Sequence, residues 1–599
     1  EHAATAVRSH GYHEAPESEV EQLLRTTSGA EMVDYSSFLV GLLEMRQRYR
    51  EPEATVSSHS RAAGGTGRGS LADSLHTVPL EEQAAFVERI NELFRGDPHV
   101  GRWIPVDPVS AQLYAATSSG LLLCKLINHA VPGTIDHRAM NLQSNLNTFQ
   151  MRENLRLALS AAKSIGCKVV NIRPEEIMEG VPHLVLGLIW QVIRIALLTK
   201  INLRAHPELA RLLEEGEALS ELLKLSPEKI LLRWFNYHLK AAGSSRRAEN
   251  FAGDIQDSEC YLILLRQLSA QHVPSLQQAL ATDPATRASK VIAVTDSMGC
   301  KSYMQPEDIF ARPNAKLNLT LVATLFNEYP GLDAPEEPEV VEEIAEELEL
   351  TREERALRMW LNSLGMEDLP YIDNLFEELR DGVALCQALA FLAPAGNRET
   401  ILRKISPAST TYHAVGNCNW AVSVGKEDLG LTLTNIGGKD IADGNKKLIL
   451  AFAWQLMRKH CLFLNGGREE KELTEWANSM VASRSSPGVG EGIRMSSFKD
   501  PSLSDSVYLL CLLESLNKNL VDWRNVHTGG SLTAEQLAAN AGYLISLARK
   551  SGAVVFLLPD DVFEVKPKML FTFVAALADV HQGGGVTNWG APQPATAAP

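Results

Sequence analysis

The stretch EIMEGVPHLVLGLIWQVIR (Glu176–Arg194) returns later in the chain as DIADGNKKLILAFAWQLMR (Asp440–Arg458), and the reading of these two copies decides the fold. Each runs from an acid and a β-branched apolar residue through a short polar or Pro/Gly break into a helix that is apolar around nearly its whole circumference. Such a segment is a membrane span, the central helix of a repeated domain, or a helix that shows one functional face. A bilayer span needs ~18 uninterrupted apolar residues. Leu184–Leu198 falls short of that and is broken by Gln191 and Arg194, so no membrane span is expected.

Two weaker relatives follow the same plan: EDIFARPNAKLNLTLVATLFN from Glu307 and DDVFEVKPKMLFTFVAALAD from Asp560. The first apolar residues of the four helices are Leu184, Leu317, Leu448 and Met569, spaced 133, 131 and 121 residues apart. Four units therefore tile the chain. Each has an earlier landmark in GCKVVNI (Gly166), GCKSYMQ (Gly299), GLTLTNI (Gly430) and GAVVFLL (Gly552). Each opens with a helix carrying Asn beside an aromatic or apolar residue: RINELF, RWFNYHL, MWLNSL and EWANSM. Helix periodicity dominates and strand signals are short and scattered, so the expected class is all-α.

The units alternate. In the first unit the breaks in the oily helix are Gly187, Gln191 and Arg194, at i, i+4 and i+7, hence one narrow stripe. The third unit repeats it as Ala451, Gln455 and Arg458, whereas the second has Thr320, Thr324 and Asn327 and the fourth Thr572, Ala576 and Asp579. Trp190 and Trp454 become Ala323 and Ala575 in the other two units. The order is A-B-A-B, a pair used twice. Helices this apolar belong in a domain core, so both tryptophans are expected inside, which leaves the stripe, the neighbouring loops and the helix ends for function.

With 599 residues and 45% hydrophobic content, the chain can build several cores. Its eight cysteines show no CxxC pair and no dense spacing, which points to reduced, buried thiols rather than disulfides or zinc. Of the net charge of −16, the segment Asp333–Arg355 alone supplies eleven acids and two arginines. It reads as a solvated acidic linker at the chain's middle. The beginning, EHAATAV, shows no basic-then-apolar leader, so a soluble intracellular protein is expected. No GxxxxGK[ST] loop or HExxH is present, and the Gly-rich GVGEG at 488–492 follows no strand, so no enzyme is expected.

RENLRLALSAAKSIGCKVVNI…EGVPHLVLGLIWQVIR, LLRWFNYHLKAAG…ENFAGDIQDSECYLILL, DIADGNKKLILAFAWQLMR and LARKSGAVVFLLPDDVFEVKPKM together resemble, in order, the four calponin-homology domains of the fimbrin (plastin) family. The resemblance runs from about Thr77 to His581. It implies an all-α chain of four calponin-homology domains in two tandem pairs, each pair an actin-binding domain, the whole bundling filamentous actin. It also implies a monomer in the cytoplasm and actin cytoskeleton, with no nucleic-acid partner. The expected divisions are 77–200, 226–332, 352–464 and 465–582, with a helical connector at 201–225, the acidic linker at 333–351 and a disordered tail at 583–599.

Carried over by position, the actin-contacting segments are about Glu82–Phe94, Pro182–Lys200 and Glu228–Lys240, then Glu353–Leu361, Asn445–Cys461 and Glu469–Met480. The candidate contact residues are Asn91, His183, Gly187, Gln191, Arg194, Lys200, Arg233, Asn236, Tyr237 and Lys240 in the first pair. In the second they are Arg358, Lys446, Lys447, Gln455, Arg458, Lys459, Glu475 and Asn478. The cations among them would steer association with an acidic filament. The rival reading is a calponin-homology scaffold for microtubules or signalling proteins. The A-B-A-B order favours actin.

Ahead of the repeats, SEVEQLLRTTSGAEMVDYSSFLVGLLEM resembles the second half of an EF-hand, with Val33, Tyr35 and Phe38 matching the loop's end and its exiting helix. Thr26, Ser28 and Ala30 then stand where ligands belong, Glu31 where the turn needs Gly, and Ser37 where a bidentate Glu belongs. Residues 1–50 are read as a degenerate EF-hand remnant that binds no calcium, so no cofactor is expected. SSHSRAAGGTGRGS, within 51–76, is a flexible linker.

Overall fold

The computed structural model describes residues 79–583 apart from 170–171, 203–204, 215, 218–221, 223–224, 334–350, 365–371, 373, 408–409 and 485–491. The EF-hand remnant, the linker at 51–76, and the acidic linker and tail except at their edges lie outside the described residues. Every regular element among the described residues is helical. Within the segment expected as a helical connector, 201–225, the described residues include a 3-10 turn, Pro207–Leu212.

The first domain holds α1 (Leu80–Leu93), α2 (Gln112–Thr117), α3 (Leu121–Ala130), α4 (Thr148–Ser164), α5 (Pro174–Met178) and α6 (Pro182–Leu198). The second holds α7 (Pro227–Ala241), α8 (Glu259–Leu268), α9 (Val273–Ala279), α10 (Pro284–Ser297), α11 (Glu307–Phe310) and α12 (Ala315–Glu328). The third holds α13 (Thr351–Ser363), α14 (Leu375–Glu378), α15 (Val383–Leu392), α16 (Ala395–Arg403), α17 (Thr411–Glu427), α18 (Gly438–Ala442) and α19 (Lys446–Leu464). The fourth holds α20 (Glu470–Ala482), α21 (Val507–Leu516), α22 (Ala534–Lys550), α23 (Pro559–Phe563) and α24 (Pro567–His581).

The repeated landmarks have structural causes. Gly166, Gly299, Gly430 and Gly552 all take positive φ just past α4, α10, α17 and α22, which ends the helix by the left-handed route open to glycine. A second left-handed residue precedes α3, α8, α15 and α21: Gly120 and Gly382 in the A domains, Ser258 and Ser506 in the B domains. A Cβ at Gly120 would meet Asn154 backbone at 2.8 Å, and one at Gly382 would meet Cys418 N at 2.6 Å, so glycine is required there. Ser258 and Ser506 are buried, and their hydroxyls have no hydrogen-bond partner among the described residues.

The Asn shared by the four opening helices is a clamp. Asn91, Asn236, Asn362 and Asn478 each use both amide atoms on one backbone residue of the following segment: Val106, Ala248, Ile372 and Met495, at 2.7–3.0 Å. Satisfying one N–H and one C=O at once fixes the long crossing that follows each opening helix. All eight cysteines are buried and free, as the spacing predicts.

Candidate functional site

α6 and α19 form the joints of the two pairs as well as core helices. Arg194 of α6 donates to Glu228 of α7, and Arg458 of α19 donates to Glu469 just ahead of α20. From the other side, Lys316 pairs with Glu82 and Lys568 with Glu353, both at 2.7 Å. The same two lysines sit over the tryptophans, with Nζ 5.9 Å from the Trp190 ring centre and 5.3 Å from that of Trp454. Trp190 also stacks on Phe86 at 5.8 Å. Both tryptophans are thus half-buried between A and B domains rather than inside an A core. The cation over each ring face adds an electrostatic contact across the joint.

The first and fourth domains also touch. α4 packs against α22 and against α13. Arg138 donates to the carbonyls of Asn525 and Ala539, both at 2.7 Å, and its guanidinium lies 4.9 Å from the Tyr543 ring centre. Ser546 Oγ accepts from Asp136 N at 2.8 Å, Ser160 Oγ donates to Ala553 O, and Lys550 reaches Asn141 at 3.1 Å and Glu153 at 3.4 Å. The chain is thereby drawn into a closed ring in which the first and last domains clasp.

The calponin homology (CH) domain model matches residues 82–197, 225–331, 351–461 and 467–583. Fimbrin-4 of Arabidopsis thaliana is 39% identical over 577 residues, 94% of this chain and 85% of that protein. Fimbrin of Dictyostelium discoideum is 40% identical over 93% of this chain and 90% of its own length. The chain belongs to the fimbrin family. Plastin-3 of Rattus norvegicus is 38% identical over 86% of this chain and 82% of its own. The actin-crosslinking core of Schizosaccharomyces pombe fimbrin superposes with a TM-score of 0.70 at 38% identity, covering 84% of this chain and all of that one.

The candidate contact residues of this chain divide into two kinds. Those turned inward serve the fold. The Asn91, Asn236 and Asn478 amides are taken by backbone, and Gln191 clamps Lys168 through its N–H at 2.6 Å and its C=O at 3.1 Å. Arg194 and Arg458 hold the A–B joints, and Arg358 pairs with Glu354 at 2.8 Å. Arg233 pairs with Glu217 at 2.6 Å, and that hydrogen bond holds the Glu217 carboxyl below its usual range. Gln455 is half-buried, and Lys446 lies over the Phe376 ring at 5.7 Å.

The outward kind comprises His183, Gly187, Lys200, Tyr237 and Lys240 in the first pair, with Lys447, half-exposed Lys459 and Glu475 in the second. In the first pair Arg233, Tyr237 and Lys240 line a groove of about 1360 Å³ along the outer face of α7. Lys229 and Arg247 line it too and escaped the sequence reading. Lys229 was findable, lying one turn before Arg233 on the same face. Arg247 comes from the loop beyond the helix, where periodicity carries no information.

Proposed function

We propose that this protein binds and bundles actin filaments, each A–B pair serving as one actin-binding unit. The observation that carries the reading is the duplicated joint: Arg194–Glu228 and Lys316–Glu82 recur as Arg458–Glu469 and Lys568–Glu353, so one chain holds two equivalently built units. The similarity to an actin-crosslinking core supports the partner. Lys200, Tyr237 and Lys240 in one unit, and Lys447 in the other, are the cationic or aromatic contact residues best supported by exposure, with half-exposed Lys459 on the same helix as Lys447. Their charge speeds encounter with an acidic filament while apolar neighbours supply affinity. Tethering makes capture of the second filament a local event at high effective concentration. The reading needs no catalytic step and no cofactor, and a monomer in the cytoplasmic actin cytoskeleton suffices.

Sedimentation tests it. The full chain is expected to bring filaments down at low speed, with or without a calcium chelator. Lys200→Glu with Lys240→Glu, or Lys447→Glu with Lys459→Glu, is expected to convert this to pelleting at high speed only. Arg194 and Arg458 are unsuitable targets, because reversing them breaks a joint as well as a surface. Unchanged bundling by both double variants would overturn the choice of surfaces, and absence of pelleting by the unaltered chain would overturn the function.

A further inference from the structure

The two pairs differ in how an A domain hands the chain to its B domain. Between α6 and α7 run 28 residues, 199–226, whereas α19 reaches α20 through five, 465–469. Residues 211–214 and Leu225 of the longer connector form one wall of the groove on α7, and residues 245–249 form another. The floor is α7 itself, where Lys229, Arg233, Asn236, Tyr237 and Lys240 share one face at helical spacing.

Aligning the clamp residues Asn236 and Asn478 sets Lys471, Glu475, Ser479 and Ala482 of α20 where α7 has Lys229, Arg233, Tyr237 and Lys240. All four of these α20 residues are exposed, so packing does not dictate the difference. The joint and the clamp are common to both pairs, and the cationic stripe is not. What the two pairs do alike therefore does not require it.

We infer that the groove binds a compact polyphosphate: a small ring carrying several phosphate groups, such as a phosphorylated inositol, either free or as a lipid headgroup. The lining holds six cations, Arg211, Lys229, Arg233, Lys240, Arg246 and Arg247, against two exposed acids, Glu214 and Glu249. Glu217 steadies Arg233, and Asp257 and Glu259 steady Arg246. A guanidinium has five donors, so each of these arginines keeps donors for a phosphate oxygen. Lys229, Lys240 and Arg247 are exposed and pair with no acid among the described residues.

These three cations set the shape of the ligand. Lys229 and Lys240 stand eleven residues apart on α7, about 16 Å along its axis, and Arg247 comes from the loop beyond the helix. Several phosphates on one small frame satisfy all three together through charge-assisted hydrogen bonds. The groove, at about 1360 Å³, is larger than an ordinary small-ligand pocket of ~300–1,000 Å³, so such a frame enters without rearrangement. A long polyanion such as nucleic acid would run off the groove onto a chain whose net charge is −16.

Binding stands on the groove alone. Its consequence rests on the function proposed above: Tyr237 and Lys240 are also filament contacts there, so a bound polyphosphate blocks the first pair and leaves the second gripping.

Calorimetric titration of the full chain with inositol hexakisphosphate tests the site, and one site is expected. Lys229→Gln with Arg247→Gln, both exposed and outside the filament contacts, should weaken it about a hundredfold, about tenfold per cation. Lys471→Gln on the matching face of α20 should leave it unchanged. No binding, or equal binding by the double variant, overturns the inference. Flotation with phosphatidylcholine vesicles doped with phosphatidylinositol bisphosphate, and not with undoped ones, assigns the ligand to a lipid; titration without flotation assigns it to the free compound. Saturating inositol hexakisphosphate should shift filament pelleting from low speed to high speed only, and the double variant should go on bundling in its presence. Low-speed pelleting unchanged by the ligand overturns the blocking. Absence of pelleting by the ligand-free chain overturns the proposed function and leaves the site to the calorimetry.

Discussion

Arg138→Ala removes a side chain that makes two hydrogen bonds and a ring contact from the first domain into the fourth. Its guanidinium makes two hydrogen bonds, each 2.7 Å long, to the carbonyls of Asn525 and Ala539, and lies on Tyr543. Asp136, at 2.6 Å, belongs to the same domain as Arg138 and keeps that arginine aimed whether the ring is closed or open. Only the cross-domain part therefore enters the closing equilibrium. Hydrogen bonds to a charged group contribute about 1.5–3 kcal/mol each, and a partly exposed cation over a ring about 0.5–1.

The two carbonyls recover water when the ring opens, so the lower end applies. The expected loss is about 3 kcal/mol, roughly a hundredfold in the closed-to-open ratio. Single-molecule energy transfer between dyes on Val109→Cys and Ser531→Cys, exposed positions in the first and fourth domains, measures it in urea sufficient to populate the open form. Arg138→Lys, which keeps the charge and loses the fork, should fall between the two. An Arg138→Ala chain within twofold of the unaltered one would refute the assignment of Arg138 as the main latch.

Three further outcomes follow from other sites. Asn478→Ala strips both bonds to Met495 and the hydrogen bond donated by Tyr508 at 2.9 Å, all buried, so the fourth domain should lose about 3 kcal/mol and melt earlier by calorimetry. Ser258→Gly relieves a left-handed serine with a buried hydroxyl and should stabilise the second domain by about 1 kcal/mol in urea denaturation. Burial pushes His460, which accepts from Trp360 Nε1 at 3.0 Å, down to about 3 from 6.5. The folded third domain keeps it neutral while the unfolded chain takes up a proton, so stability should fall as pH drops below 6.5, by about 2 kcal/mol at pH 5. His460→Gln should flatten that slope.

The four-fold repeat, its A-B-A-B order and the all-helical class were legible because a helix writes its period and its stop signals into local sequence. The candidate surface was legible only in part. A helical period says which face is buried but not which body covers it. The Asn of each opening helix looks alike in sequence whether it meets a filament or its own loop; the structure gives both of its amide atoms to the loop. Arg194 and Arg458 likewise stand at a helix end where solvent, partner or neighbouring domain would look the same. The contact of α4 with α22 joins segments nearly four hundred residues apart, and no local pattern announces it. The signal that existed was comparative: a cation in AAKSIG and LARKSG where the other two units have residues left in water.

The left-handed residue before α3, α8, α15 and α21 also dates the architecture. Glycine in both A domains and serine in both B domains means that the two kinds had diverged before the pair was copied. A single domain doubled first, and the resulting couple doubled afterwards. The heritable module is therefore the couple with its joint. A chimera exchanging the first domain for the third should inherit a working joint, whereas one exchanging the first for the second should meet a partner that its surfaces were never matched to.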